Sequence, residues 1–289
     1  MPDITVGVLG ASSLVGRCVL AGLVRDHFKV IAFSRQRQRD ADTEAVKWRL
    51  IPNDVLSEPM PPIALWICVA PVIALPAHFA WLQACGARKV VALSSTSRFT
   101  KGHSCDPQER RLASQLQDAE DRFEVWAQEH GVHWAILRPT LIYGLGQDKN
   151  ITRIAGLIRR FGFFPLFGHG VGLRQPVHAE DVALACVRAL QSPQVCHHCY
   201  DLSGGEVLSY REMVTRIFAT LGRRPRLFRV PLWLFRIAVA LLRWFPRYRH
   251  WSVAMVERMN QDLVFDHAQA TRDLGFVPRL FSLSKQDLS

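Results

Sequence analysis

A doubly wound α/β fold, a parallel sheet with helices on both faces, is the fold class this chain predicts. An apolar run at 4–9 turns through the small residues Gly10, Ala11, Ser12 and Ser13 into an amphipathic stretch. Further apolar runs at 29–35, 63–70, 89–93 and 133–137 are short enough for strands, and apolar enough to be covered on both faces. Helical periodicity fills the intervals. It is clearest at 107–129, where Leu112, Leu116, Ala119, Phe123 and Trp126 recur at three- and four-residue steps. Strands that alternate with helices require right-handed crossovers and a parallel sheet.

The first turn does more than change direction. A helix that starts at about residue 14 leaves unpaired amides and the positive end of its dipole at a corner without large side chains, which suits a pyrophosphate. The same corner also serves purely steric ends, because glycine is used wherever a strand bends sharply into a helix. The helix runs over 14–27 and feeds the second strand, 29–35, which ends in Ser34 and Arg35. In dinucleotide folds an acid at that place accepts from a free ribose hydroxyl, whereas a basic residue tolerates a 2′-phosphate. Arg35, Arg37 and Arg39 precede any acid, so NADP is expected over NAD, with a solvated basic loop as the plainer alternative.

A short strand at 46–50 comes next, and Asp54 follows where an adenine contact would lie. The run at 63–70 ends at Pro71, a helix is expected over 74–85, and the strand at 89–93 delivers Ser94, Ser95, Thr96 and Ser97 to its carboxyl end. That edge is where an open parallel sheet binds ligands, although hydroxyls there also cap helices. After the helix at 107–129, the sixth strand at 133–137 runs into Arg138, Pro139 and Thr140. Beyond Tyr143 the pattern loosens. A helix is expected over 151–161, an irregular glycine-rich stretch over 162–177, a helix over 178–190, a short strand over 200–203 and a helix over 210–221.

Composition limits the classes. The 289 residues are 49% hydrophobic and 21% charged, so the chain is globular rather than disordered. Lys and Arg number 36 against 25 Asp and Glu, a net charge of +11 that favours acidic ligands. Seven scattered cysteines, mostly in apolar runs, read as reduced core thiols. The first residues carry no basic, apolar leader pattern, and no uncharged apolar run reaches the roughly 18 to 20 residues of a bilayer span. A cytoplasmic protein is expected.

The segments GASSLVG (10–16), ALSSTS (92–97), LRPTLIYG (137–144), RQPVHAEDVA (174–183) and YDLSGGE (200–206) occur in the order of the landmarks of the extended short-chain dehydrogenase/reductase superfamily. Over roughly the first 210 residues the chain resembles that superfamily, and within it the NAD-dependent epimerase/dehydratase group, which includes nucleotide-sugar epimerases. The resemblance implies a Rossmann-type domain over 1–145. It implies a smaller C-terminal substrate lobe over 146–289, with 174–203 returning to the core. Gly7, Gly10, Ser12, Ser13, Leu14, Val15 and Gly16 fall at the cofactor turn, with Ser13 in place of the usual middle glycine. Ser34, Arg35, Asp54, Val69, Ala70, Pro71, Ser94, Pro139 and Thr140 complete the expected cofactor contacts, while Arg174 and His178 are assigned to substrate.

One departure bears on mechanism. The family's catalytic pair is Tyr-x-x-x-Lys on the helix after the serine strand, where the lysine lowers the phenol pKa and the tyrosine moves the proton. Leu112 and Leu116 stand at those two positions, and no tyrosine in the chain has a lysine four residues on. Ser95 and Thr96, with Lys101 or Tyr143 as substitute acid or base, are the candidate catalytic residues. The plainer readings are a solvated loop lysine and an anchoring aromatic.

Two further stretches call for a decision. Cys196, His197, His198 and Cys199 look like a metal box, but residues entering a strand point alternately to opposite faces, so no metal is expected. The stretch 222–250 holds eight arginines and no acid around LWLFRIAVALLRWF (232–245). It suits an interfacial helix on anionic lipid over 230–251, which would set the protein at the periphery of the inner membrane, or a lobe helix over the substrate cleft. A nucleic-acid partner is not expected, since no recognition fold accompanies the basic run. The function expected is NAD(P)-dependent oxidoreductase or epimerase chemistry on a nucleotide-sugar or other phosphorylated or lipid-linked substrate. The alternative is a non-catalytic NAD(P)H-binding sensor or assembly subunit.

Overall fold

The computed structural model describes residues 4–36, 42–51, 61–231 and 258–288. Asp54 and nearly all of 230–251 lie outside the described residues, and with them the expected adenine contact and lipid-facing helix. In chain order the first half comprises Thr5–Leu9 (β1), Leu14–Arg25 (α1), Lys29–Ser34 (β2), Val46–Leu50 (β3), Leu65–Cys68 (β4), Phe79–Ala84 (α2) and Lys89–Leu93 (β5). It continues with Ser97–Thr100 (α3), Pro107–Glu129 (α4) and His133–Pro139 (β6). The second half adds Ile142–Tyr143 (β7), Ile151–Phe161 (α5), Phe164–Phe167 (β8), Leu173–Arg174 (β9), Val177–His178 (β10), Ala179–Gln191 (α6) and His198–Leu202 (β11). Leu208–Ser209 (β12), Tyr210–Thr220 (α7), Leu227–Val230 (β13) and Ala268–Leu274 (α8) follow.

The central sheet has seven strands, in the order β11-β6-β5-β4-β1-β2-β3. All its pairings are parallel. Six strands were legible in the first half of the chain; the seventh, β11, comes from beyond residue 190 and forms the edge beside β6. Alternation along β1 sends Val6 and Val8 to the layer of α1 and α6, and Leu9 to the layer of α2 and α4. A third apolar cluster joins Tyr143, α5, α7 and Phe281 in the lobe.

Two elements differ from the periodicity. The expected helix over 74–85 begins as a 3₁₀ turn, Val72–His78, because Pro76 lacks an amide and crowds the preceding turn, so the α-helix is confined to Phe79–Ala84. The glycine-rich stretch expected to be irregular contains three short strands. β8 pairs with β13, β9 with β12 and β10 with β7. No local pattern announces them, since the partner strands of β8 and β9 lie some 35 residues or more further along the chain.

Candidate functional site

β1 has β2 on one side and β4 on the other, so the crossovers leave in opposite directions and open a crevice at its carboxyl end. The turn from β1 into α1 forms the floor of that crevice. Gly10 has φ of 84°, and a Cβ there would collide with the Ala70 amide. A Cβ on Gly16 would collide with the Gly10 carbonyl. Both positions therefore require glycine, one for its dihedral and both for the close approach of backbone. The Phe33 carbonyl accepts from the amides of Gly10 and Ala11, each at 3.1 Å. Ser13 is the N-cap of α1, its Oγ accepting from the Gly16 amide at 3.1 Å. The turn thus keeps the amides of Ser12, Leu14 and Val15 for an anion, and Ser13 keeps its hydroxyl proton. This backbone cradle fits a dinucleotide pyrophosphate.

Val69 and Ala70 close the other wall. Their amides donate to the Leu9 carbonyl at 2.9 and 3.1 Å, with Pro71 exposed beside them. At the end of β2, Ser34 is buried and donates to the Gln36 carbonyl, while Arg35 is exposed. Gly7, expected among the cofactor contacts, has another reason to be glycine. It lies mid-strand beside Trp66, whose indole fills the space a Cβ would take.

The hydroxyl run after β5 divides into separate roles. Ser94 is buried and donates to Glu120. Thr96 is buried too, with its amide and Oγ1 both 3.2 Å from the Pro139 carbonyl. Ser95 is half-buried; its Oγ accepts from the Ser97 amide at 3.1 Å, which leaves its own proton to donate. Thr140 donates to the Gln175 carbonyl, tying the end of β6 to the lobe. Leu116 is buried in the α4 layer and Leu112 packs against it, so the two positions where the resemblance implies a proton-transfer pair offer hydrocarbon.

The substitutes proposed for that pair occupy other settings. Tyr143 is fully buried in the lobe cluster, its hydroxyl 3.3 Å from the Ser282 carbonyl and its ring edge-on to His178 and Phe281. Burial pushes its phenol up to about 12, the wrong direction for a proton shuttle at neutral pH. Its setting is that of the anchoring aromatic. Lys101 is half-buried near a cavity of about 180 Å³ lined by Thr100, Ser104, Glu109 and Arg258. Burial and the Arg258 guanidinium lower its ammonium pKa, against the pull of Glu109 and Asp106. Arg174 and His178, assigned to substrate, are buried and engaged. Arg174 donates to the carbonyls of Leu173, Gln261 and Arg258. His178 caps α6 through Nδ1 and faces Asp287 through Nε2 at 3.3 Å.

One constellation was missed by the sequence reading. Glu120 of α4 is fully buried and takes Ser94, Arg98 and both Nε and Nη2 of Arg138, the last two at 3.0 and 2.6 Å. The signal was present: an acid four residues after Leu116 and three before Phe123 lies on the helix's apolar face.

Comparison with known proteins adds to this geometry. Residues 78–201 match the NAD dependent epimerase/dehydratase family. The chain is 28% identical over 154 residues to subunit 9 of the mitochondrial NADH dehydrogenase [ubiquinone] 1 alpha subcomplex of Arabidopsis thaliana, covering 50% of this chain and 38% of the relative. It is 22% identical over 161 residues to UDP-glucose 4-epimerase of Vibrio cholerae, covering 56% of this chain and 47% of that one. The chain thus matches less than half the length of these two relatives. Among solved structures it is similar in fold to UDP-glucuronic acid 4-epimerase from Bacillus cereus in complex with UDP-glucuronic acid and NAD. That likeness has a TM-score of 0.71 at 14% identity and covers 96% of this chain and 95% of that one.

Proposed function

We propose that this chain, whose residues 78–201 match the NAD dependent epimerase/dehydratase family, binds NADP in preference to NAD and uses it on a nucleotide-sugar or other phosphorylated or lipid-linked substrate. The observation that carries the binding is the backbone cradle of Gly10 and Gly16 against Ala70. The preference for NADP rests on exposed Arg35, directly after β2, in the place where an acid would accept from a free ribose hydroxyl. When bound, the nicotinamide supplies hydride exchange with a substrate carbon. Ser12, Leu14 and Val15 hold the pyrophosphate, Pro139 and Thr140 border the nicotinamide, and Ser95 directs its hydroxyl proton to the reacting oxygen.

Fluorescence titration tests the first part. NADPH is expected to bind more tightly than NADH, and Arg35→Asp to reverse that order; equal binding of the two by the parent would sink the preference. Ser95→Ala is expected to lower turnover and leave cofactor binding intact. A second reading is favoured by Leu112 and Leu116: a cofactor-binding sensor or assembly subunit that retains the fold without proton transfer. Tight NADPH binding with no turnover on any nucleotide sugar tried would select it.

A further inference from the structure

We propose that His133, Cys196 and His197 form a binding site for a divalent transition ion, Zn²⁺ by their chemistry, at the amino edge of the sheet, the side opposite the dinucleotide turn. The expectation of no metal assumed strict alternation through 196–199. His197 breaks it: its φ is 57°, in the left-handed region, and its amide donates to the Trp134 carbonyl at 2.7 Å. Cys196 and His197 are thereby brought onto the same side as His133, the first residue of β6, and one ligand atom from each lies within 4.8 Å of the others. The other two members of the sequence box go elsewhere. His198 meets Gln269, and Cys199 lies 3.2 Å from Arg138.

Two imidazoles and a thiol, with no carboxylate among them, select a borderline-soft ion over Mg²⁺ or Ca²⁺. Bonds of about 2.0–2.1 Å to nitrogen and 2.3 Å to sulfur need the three atoms somewhat closer together, and both imidazoles are exposed and able to rotate inward. Three protein ligands leave the fourth position to water. The ion would clip the loop leading into β11 to the start of β6. Since β11 is an edge strand that pairs, among the described residues, with β6 alone in the sheet, metal binding and edge stability are linked. This proposal is independent of the cofactor reading.

Full-length protein stripped with a chelator is titrated with Co²⁺ and then with Zn²⁺. One equivalent of Co²⁺ is expected to give a thiolate-to-cobalt charge-transfer band that Zn²⁺ abolishes by displacement. Cys196→Ser is expected to lose the band, and the double variant His133→Gln, His197→Asn to lose binding; asparagine is chosen because it tolerates the left-handed backbone. Cys105→Ser, an exposed thiol elsewhere, is expected to keep the band. No band in the parent, a band that survives Cys196→Ser, or one-equivalent binding by the double variant would each overturn the proposal. Far-UV circular dichroism of each variant establishes that it is folded before the titration, so loss of the band reports loss of a ligand.

Discussion

Glu120 is the residue on which the site's charge balance turns. It is fully buried, and its carboxylate is shared by Arg98 and Arg138 while Ser94 donates to it. Glu120→Ala would leave two largely buried guanidiniums without the carboxylate they share, a change that typically costs about 3–5 kcal/mol. Urea unfolding is expected to show a loss of that order, larger than the loss from Arg98→Ala alone. Glu206 and Arg216 form a bidentate pair nearer the surface, at 2.7 and 2.6 Å. The hydrogen bonds from Arg216 hold the Glu206 carboxyl below its ordinary value. A depressed carboxyl stabilises the fold above the unfolded-state pKa of about 4.3, and that contribution fades as pH falls through the lower folded-state value. The unfolding midpoints of the parent and Glu206→Gln should therefore differ slightly at pH 7, and the difference should shrink toward pH 3. A difference that grows on acidification would refute the assignment.

The β1–α1 corner behaves as a unit. Ser13 stands where the resemblance implies a glycine, and its hydroxyl caps the helix whose first turn is the proposed anion cradle. Ser13→Ala is expected to cost about 1 kcal/mol of stability, as cap removals do, and to weaken NADPH binding as the first turn frays. Thermal melts with and without cofactor would separate the two effects. This element and most of the sheet were legible in sequence because their signals are local: apolar runs for strands, a three-and-four step over 107–129, a glycine turn between them. β8, β9 and β10 were not, because two- to four-residue strands carry too few positions for a period and β8 and β9 find their partners far along the chain. Tyr143 and His178 show the same limit at the site. Motif position placed them near substrate, while tertiary packing buried both, Tyr143 in the lobe cluster and His178 at the start of α6 against Asp287.

At the scale of the molecule, the lobe is fastened by the segment after α8. Arg279 pairs with Asp181 at 2.8 Å and Glu180 at 3.0 Å. Asp287 accepts from the amides of Leu145 at 3.0 Å and Ser284 at 2.8 Å, and lies 3.3 Å from His178. No periodic pattern runs through 276–288, so nothing in the sequence announced this return. Asp287→Ala is expected to loosen the 143–151 loop and speed limited proteolysis there, with little change in the sheet's hydrogen-exchange protection; equal protease resistance would refute the clasp. The clasp also orders events in time. Its bonds join residues 139, 142 and 109 positions apart, so loop closure of that length must precede them. The sheet over β1 to β6 holds mostly nearer contacts and can assemble first on a growing chain. The lobe can lock only once residue 288 has been made, because Phe281 and Leu288 complete the apolar cluster of α5 and α7.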